Sequence, residues 1–196
     1  GEVPLGWCGD RIGPRRVLSV AVIAWSWFTA ATGLAWNYSS LIVCRLCFGA
    51  AQSAAFPNLS KVFCLWLTPL ERAWSQGVLW ASARWGGALA PAMVFALMQV
   101  MSWRMAFLTL SLAGVLWTVL FFIWFRDHPQ EHPGVNAAER ALLPPPGEAM
   151  ALPEATPWRE ILTSTHAWLL SGQYFCQGFF FYFLVNWLPA YLREGR

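Results

Sequence analysis

Two arginines inside apolar stretches are the residues of this sequence best suited to chemistry. Arg45 lies in the apolar run 41–67, and Arg84 lies in the run 75–101. A guanidinium group stays charged at physiological pH and can donate two parallel hydrogen bonds to a carboxylate. An unpaired charge inside a membrane helix costs about 2.5–3.5 kcal/mol on insertion scales, so each arginine should face a ligand or a partner. The pattern predicts binding of an organic anion.

Uncharged polar side chains accompany these arginines. Gln52 follows Arg45 by seven residues, which places both on one helix face. Gln173 and Gln177 are one helical turn apart, with Tyr174 between them. Amide and phenol groups can form hydrogen bonds with the hydroxyls of a sugar acid. A glutamine, however, cannot take up or release a proton at physiological pH. We therefore predict a substrate-binding or coupling site made of Arg45, Gln52, Arg84, Gln173, Tyr174 and Gln177.

Each of these residues also has a structural explanation, which the sequence leaves open. Arg45 could extend to the outer membrane interface or pair with a residue of a neighbouring helix. Arg84 could form a structural ion pair. The glutamines of the last apolar run could hydrogen-bond between helices without touching a substrate.

The elements that must position these residues are membrane helices. The chain is 57% hydrophobic and 12% charged, whereas soluble domains have about 25% charged residues. Each apolar run is close to or above the roughly 20 residues that span hydrocarbon, and unpaired backbone groups in lipid leave helices as the plausible form. We predict an all-α membrane protein with spans at 17–36, 41–67, 75–101, 103–125 and 166–188.

Loop charges predict the orientation of these spans. Arg11, Arg15 and Arg16 precede the first complete run, and the loop 37–40 after it is uncharged. Positive charge marks the cytoplasmic side, so the N-terminal end is predicted there and the C-terminal tail outside. The net charge of +3 comes from loops and helix ends. No continuous basic face is present, so we expect no nucleic-acid partner.

A proline-rich segment at 126–160 divides the chain. We interpret it as a cytoplasmic linker between a helical bundle at 1–125 and a further helix at 161–196. Within it, Asn136 and Glu139 have the spacing of a helix capping box, and Pro144 would end that short helix.

No pattern in the sequence points to catalysis or a cofactor. The motifs H-E-x-x-H and G-x-S-x-G are absent. His128 and His132 lie four residues apart beside Glu131, but Pro129 and Pro133 break the helix that a metal site there would need, so we expect no metal. The cysteines lie in or beside apolar runs and are interpreted as packing residues.

A charged loop near the start, Gly6-Trp-Cys-Gly-Asp10-Arg11-Ile-Gly13-Pro14-Arg15-Arg16, resembles the signature loop between helices 2 and 3 of the major facilitator superfamily. The string Arg45-Leu-Cys-Phe-Gly49 resembles that superfamily's fourth-helix motif. The string Arg126-Asp-His-Pro-Gln-Glu131-His-Pro-Gly134 is similar to the end of its sixth helix. Together these strings resemble the anion:cation symporter branch.

The resemblance implies an internal fragment of a twelve-helix bundle, with the end of helix 2 and five complete helices, 3 to 7. It implies a cytoplasmic gate that holds the two halves together through charge pairs and a helix-end dipole. That role maps onto Gly6, Asp10, Arg11, Gly13 and Arg15.

The function implied is proton-coupled uptake of a small organic anion, a sugar acid or another carboxylate, by alternating access in a bacterial inner membrane. The full-length form is expected to be a monomer in the lipid bilayer. Gln52 departs from the branch, whose sugar-acid members often have a glutamate there, so the proton would need another acid. An exporter of drugs or metabolites and a non-transporting scaffold are the alternatives.

Overall fold

The computed structural model describes residues 2–136, 139, 142 and 158–194, and all regular structure among them is helical. This agrees with the predicted all-α class. The chain divides into two compact units, Gly1–Ala151 and Leu152–Arg196, which are described separately. The first unit contains α1 (Glu2–Ile12), α2 (Pro14–Gly33), α3 (Tyr38–Gln52), α4 (Ala55–Trp66), α5 (Pro69–Val100), α6 (Trp103–Trp124) and a 3-10 turn (Pro129–Glu131); the second contains α7 (Trp158–Thr163) and α8 (Thr165–Glu194).

The turn between α1 and α2 forms where the Gly-Pro pair predicts it. Gly13 has a φ of 93°, a conformation that only glycine adopts readily. Pro14 then occupies the first position of α2, where its missing N–H is not needed. Gly13 has no side chain with which to cap α2. The N–H groups in the first turn of α2 therefore need acceptors from elsewhere in the chain.

Helix α2 packs closely against α6. Gly33 has no room for a side chain, because a Cβ there would lie 3.0 Å from the Arg104 carbonyl oxygen and 3.0 Å from the Phe107 Cβ. Gly114 of α6 lies directly against the hydroxyl of Ser26. Small residues of this kind let two membrane helices approach each other. Leu18, Ala21, Val22 and Ala106 are buried around this contact.

The run 41–67, predicted as one uninterrupted span, is two helices. A turn at Ser53 and Ala54 separates α3 from α4. Pro57 explains the break, because it has no N–H to donate to the Ser53 carbonyl and its ring would clash with that group. The Ser53 hydroxyl instead donates to the Ala50 carbonyl at 2.8 Å.

Two segments among the described residues are both long and apolar enough to cross a membrane. They are Tyr38–Trp66, which joins α3 and α4, and Trp103–Trp124, which is α6. Three other helices, α2, α5 and α8, have 20, 32 and 30 residues and are long enough by length alone. They do not meet both criteria, so their predicted crossing remains a prediction.

Two helix starts have the capping chemistry that their sequences indicate. The Asn136 side chain accepts from the Glu139 N–H at 2.8 Å, and the Glu139 carboxylate accepts from the Asn136 N–H at 3.1 Å, as predicted. The rest of the predicted short helix, with Pro144 at its end, falls outside the described residues. Thr68 and Glu71 form an equivalent box, so α5 begins at Pro69 rather than near the predicted residue 75.

Candidate functional site

Asp10 is held by a lysine of α4. Its carboxylate Oδ1 lies 2.7 Å from the Lys61 Nζ, and the same ammonium group donates to the Gly9 carbonyl at 3.1 Å. The Lys61 side chain is 12% exposed and the Asp10 side chain 36%, so the pair is partly shielded from solvent and from salt. The sequence does not identify Lys61 as the partner of Asp10, because the two residues are 51 positions apart in the chain.

Gly6 and Gly9 let α1 lie directly on the start of α4. A Cβ at Gly6 would be 3.3 Å from the Pro57 Cβ, and a Cβ at Gly9 would overlap the Asn58 side chain. Asn58 is fully buried, and its amide nitrogen donates to the Leu5 carbonyl at 3.3 Å and to the Ala54 carbonyl, in the turn before α4, at 2.7 Å. The two glycines therefore let the helices approach closely, and Asn58 is a contact that the sequence did not reveal.

Arg15 joins the start of α2 to the end of α6. Its backbone N–H donates to the Asp127 Oδ1 at 2.7 Å, so Asp127 caps a helix from another part of the chain. Its guanidinium donates to the Phe122 carbonyl, with Nε at 3.2 Å, and lies 4.1 Å from the centre of the Phe122 ring. Gly13 is necessary here, because a Cβ would be 2.7 Å from the Asp127 Oδ2.

Arg11 is the member of the predicted gate that stays on the surface. Its side chain is exposed, and its guanidinium lies 4.2 Å from the centre of the Trp7 ring on the preceding turn of α1. The structure thus brings Asp10 and Arg15 into contact with other helices, and it leaves Arg11 available to a partner outside this bundle.

Arg45 lies on an open face of α3. Its side chain is exposed, and its guanidinium is 5.4 Å from the Phe107 ring centre and 5.9 Å from that of Phe48. Gln52 is also exposed, and Gly49 between them borders open space. Within the described part of the chain, Arg45 has no carboxylate partner. The exposure of both Arg45 and Gln52 is consistent with the single helix face that their spacing predicts.

Arg84 lies in a stretch of α5, residues 81–89, in which every residue is exposed. Gly86 and Gly87 on the same stretch border open space, and the helix continues through Pro91. This part of α5 therefore presents a wide surface on which a further element or a ligand can lie.

The polar residues of α8 belong to the second unit. Gln173, Tyr174 and Gln177 are all exposed on this helix. Gly172 and Gly178 beside them border open space. These residues are therefore accessible in their own unit, and their meeting with Arg45 remains a prediction.

The first unit also contains a groove of about 570 Å³. Residues of α1, α2 and α3 form its walls, and Arg16 is the one charged group of its lining. None of the residues predicted to bind substrate lines this groove.

The contacts described above define a class of protein. It has apolar helices joined by short turns, cations on exposed helix faces, and two segments that are long and apolar enough to cross a membrane. The chain belongs to the Major Facilitator Superfamily, whose match covers residues 1–196. This family consists of transporters and not of enzymes.

Similar curated proteins are anion and sugar-acid transporters. The chain is 35% identical over 193 residues to the "Probable sulfoacetate transporter SauU" of Cupriavidus necator, with 97% of this chain and 44% of that protein covered. It is 29% identical to the "Hexuronate transporter" of Bacillus subtilis, with 97% and 44% covered. It is 33% identical to the "Probable anion transporter 5" of Arabidopsis thaliana, with 99% and 46% covered. The chain thus spans under half the length of these relatives.

Proposed function

We propose that the full-length protein is a secondary active transporter that takes up a small organic anion by alternating access. Family membership supports transport, and the names of the relatives support the class of substrate. Sulfoacetate and hexuronates share a carboxylate group on a small polar skeleton. A sugar acid or a related carboxylate is therefore the substrate class that fits.

The exposed guanidinium of Arg45 is the main structural support for this proposal. It lies about 10 Å along Tyr38–Trp66, at 1.5 Å per residue, in one of the two segments apolar enough to cross a membrane. A guanidinium that faced lipid at this depth would be costly, whereas one that faces a water-filled path can bind an anion. Two aromatic rings beside it limit its positions without neutralising its charge.

The remaining predicted residues complete the proposed site. Gln52 on the same face can bond a substrate hydroxyl. Gln173, Gln177 and Tyr174 would supply further hydrogen bonds from α8, and Arg84 a second cation from α5. Binding between two bundles is the arrangement that alternating access requires.

The proposed gate comprises Gly6, Asp10, Arg11, Gly13 and Arg15. The ion pair with Lys61 and the cap from Asp127 support it, because they hold the loop in one shape. Arg11 would then contact the other half of the protein.

Proton coupling, a monomeric state and a bacterial inner-membrane location are parts of the same proposal. Gln52 cannot titrate, so the coupling acid would lie elsewhere in the full-length protein. Uptake that does not respond to an imposed pH gradient would instead indicate a uniporter or an exchanger.

The proposal is tested by uptake of radiolabelled galacturonate and sulfoacetate into vesicles that contain the full-length protein. We expect Arg45→Ala to abolish uptake, and Arg45→Lys to leave it strongly reduced because an ammonium group cannot form two parallel hydrogen bonds. Arg104→Ala is the matched control, since it removes an exposed arginine from the first turn of α6.

Unchanged uptake in Arg45→Ala, with normal amounts of protein in the membrane, would remove the binding role. Export of hydrophobic compounds without any carboxylate uptake would favour the drug or metabolite exporter. Absence of all transport would favour the scaffold.

A further inference from the structure

Asp127 occupies a position that neither the gate motif nor the substrate site includes. It is the third residue after the end of α6, at the start of the proline-rich linker. Its Oδ1 accepts the Arg15 N–H at 2.7 Å, although the two residues are 112 positions apart. The first turn of α2 has no cap of its own, so this carboxylate supplies the missing acceptor.

The contact places a charged group at each of two helix ends. The carboxylate lies at the positive N-terminal end of α2, and the Arg15 guanidinium donates to the Phe122 carbonyl at the negative C-terminal end of α6. Each charge therefore has the sign that the neighbouring helix end favours. Gly13 leaves room for this contact, because a side chain there would displace the Asp127 carboxylate.

The start of the linker is fixed on its other side by α4. The Trp66 indole N–H donates to the Arg126 carbonyl at 3.2 Å, and the Trp66 ring packs against Phe125 and edge-on to His132. Lys61, which holds Asp10, belongs to the same helix. The gate loop and the first residues of the linker thus share two anchoring helices, α2 and α4.

We propose that Asp127 is a positioning residue that couples the linker to the gate loop. It holds the first turn of α2 against the start of the linker between the two halves. The loop that contains Asp10 and Arg11 is held in place with that turn. A displacement of the linker during transport would reach the gate through this carboxylate. This inference rests on the proposed transport function.

The test uses the full-length protein in vesicles, with Asp127→Ala and Asp127→Asn compared with the wild type. Amide hydrogen exchange of Gly13 and of residues 15–18 is measured, together with the concentration dependence of galacturonate uptake. Glu131→Gln is the control, since it removes an exposed carboxylate from the same segment.

We expect Asp127→Ala to accelerate exchange of the Arg15 amide by about tenfold, the effect of losing a hydrogen bond to a charged group. Turnover should fall with little change in KM, because Asp127 is not part of the proposed substrate site. Asp127→Asn keeps an acceptor oxygen without the charge, and neutral hydrogen bonds are weaker, so both effects should be intermediate. Glu131→Gln should behave as the wild type.

Wild-type exchange and turnover in both Asp127 variants would overturn the proposal, as would a raised KM with unchanged turnover. If Asp127→Ala does not fold, Asp127→Asn decides: wild-type behaviour contradicts the role, and partial loss supports it. If the wild type takes up no carboxylate, the transport proposal fails, while the exchange comparison still decides whether Asp127 caps α2.

Discussion

Gly9 and Asn58 form a contact in which the absence of one methyl group determines the packing of α1 on α4. The Asn58 side chain is fully buried, and its Oδ1 has no hydrogen-bond donor within the described residues. This oxygen lies directly against Gly9, since a Cβ built there would overlap it. Gly9 therefore allows both the close approach of two helices and the burial of an amide.

Substitution of Gly9 by alanine should destabilise the protein by about 1–3 kcal/mol, the usual cost of overpacking. The new Cβ would overlap the Asn58 side chain, so the helices would have to separate. Thermal unfolding of the purified full-length protein measures the effect. Gly77→Ala is the control: Gly77 is exposed in α5 with open space around it, and alanine there should stabilise the helix by about 0.5–1 kcal/mol. Equal unfolding temperatures for the two variants would contradict the contact.

Among the elements, α5 has a first turn whose stability depends on pH. Glu71 lies at the third position of this helix, where its carboxylate accepts from the Thr68 hydroxyl at 2.7 Å and from the Thr68 N–H at 2.9 Å. These bonds favour the ionised carboxylate, so the Thr68 hydroxyl, and then its N–H, lower the pKa of Glu71 below its ordinary value. The stabilisation is complete above the ordinary pKa of a glutamate and is lost as the pH falls through the lowered one.

Replacement of Thr68 by alanine should raise the Glu71 pKa towards its ordinary value, because the bond that contributes most to the shift is removed. The expected change is measured by titrating the Glu71 carboxyl carbon by NMR in detergent micelles. Thr109→Ala is the control, since the Thr109 hydroxyl is exposed and bonds within α6. A Glu71 pKa that is the same in Thr68→Ala and in the wild type would rule out the capping box.

The helices themselves were largely predictable, and the contacts between their ends were not. Apolar runs indicate where helices lie, and Gly13-Pro14 predicts the turn before α2. The break after Ser53 was missed although Pro57 signals it, because the whole run is apolar enough to hide a turn. Lys61 and Asp127 contact the gate loop from 51 and 112 residues away, and hydropathy contains no information on which helix ends meet.

For the whole molecule, the proposed cycle requires the cytoplasmic gate to open and close against a second bundle. Asp10 already has a partner within this bundle, because Lys61 pairs with it and also donates to the Gly9 carbonyl. The pair can therefore hold the loop in place during the cycle, or it can exchange for a partner in the other half when the gate closes. A charge swap separates these two roles.

Asp10→Asn should slow the turnover of galacturonate uptake more than it raises KM, because the proposed gate acts on the conformational change and Asp10 is not part of the proposed binding site. Glu2→Gln, which removes a carboxylate from the exposed first turn of α1, should leave both values unchanged. If the pair within the bundle is what matters, exchanging the two charges in the double variant Asp10→Lys, Lys61→Asp should restore turnover. If Asp10 needs a partner in the other half, the double variant should stay as slow as Asp10→Asn. A variant Asp10→Asn that binds substrate weakly but turns over at the wild-type rate would show that Asp10 belongs to the binding site and not to a gate.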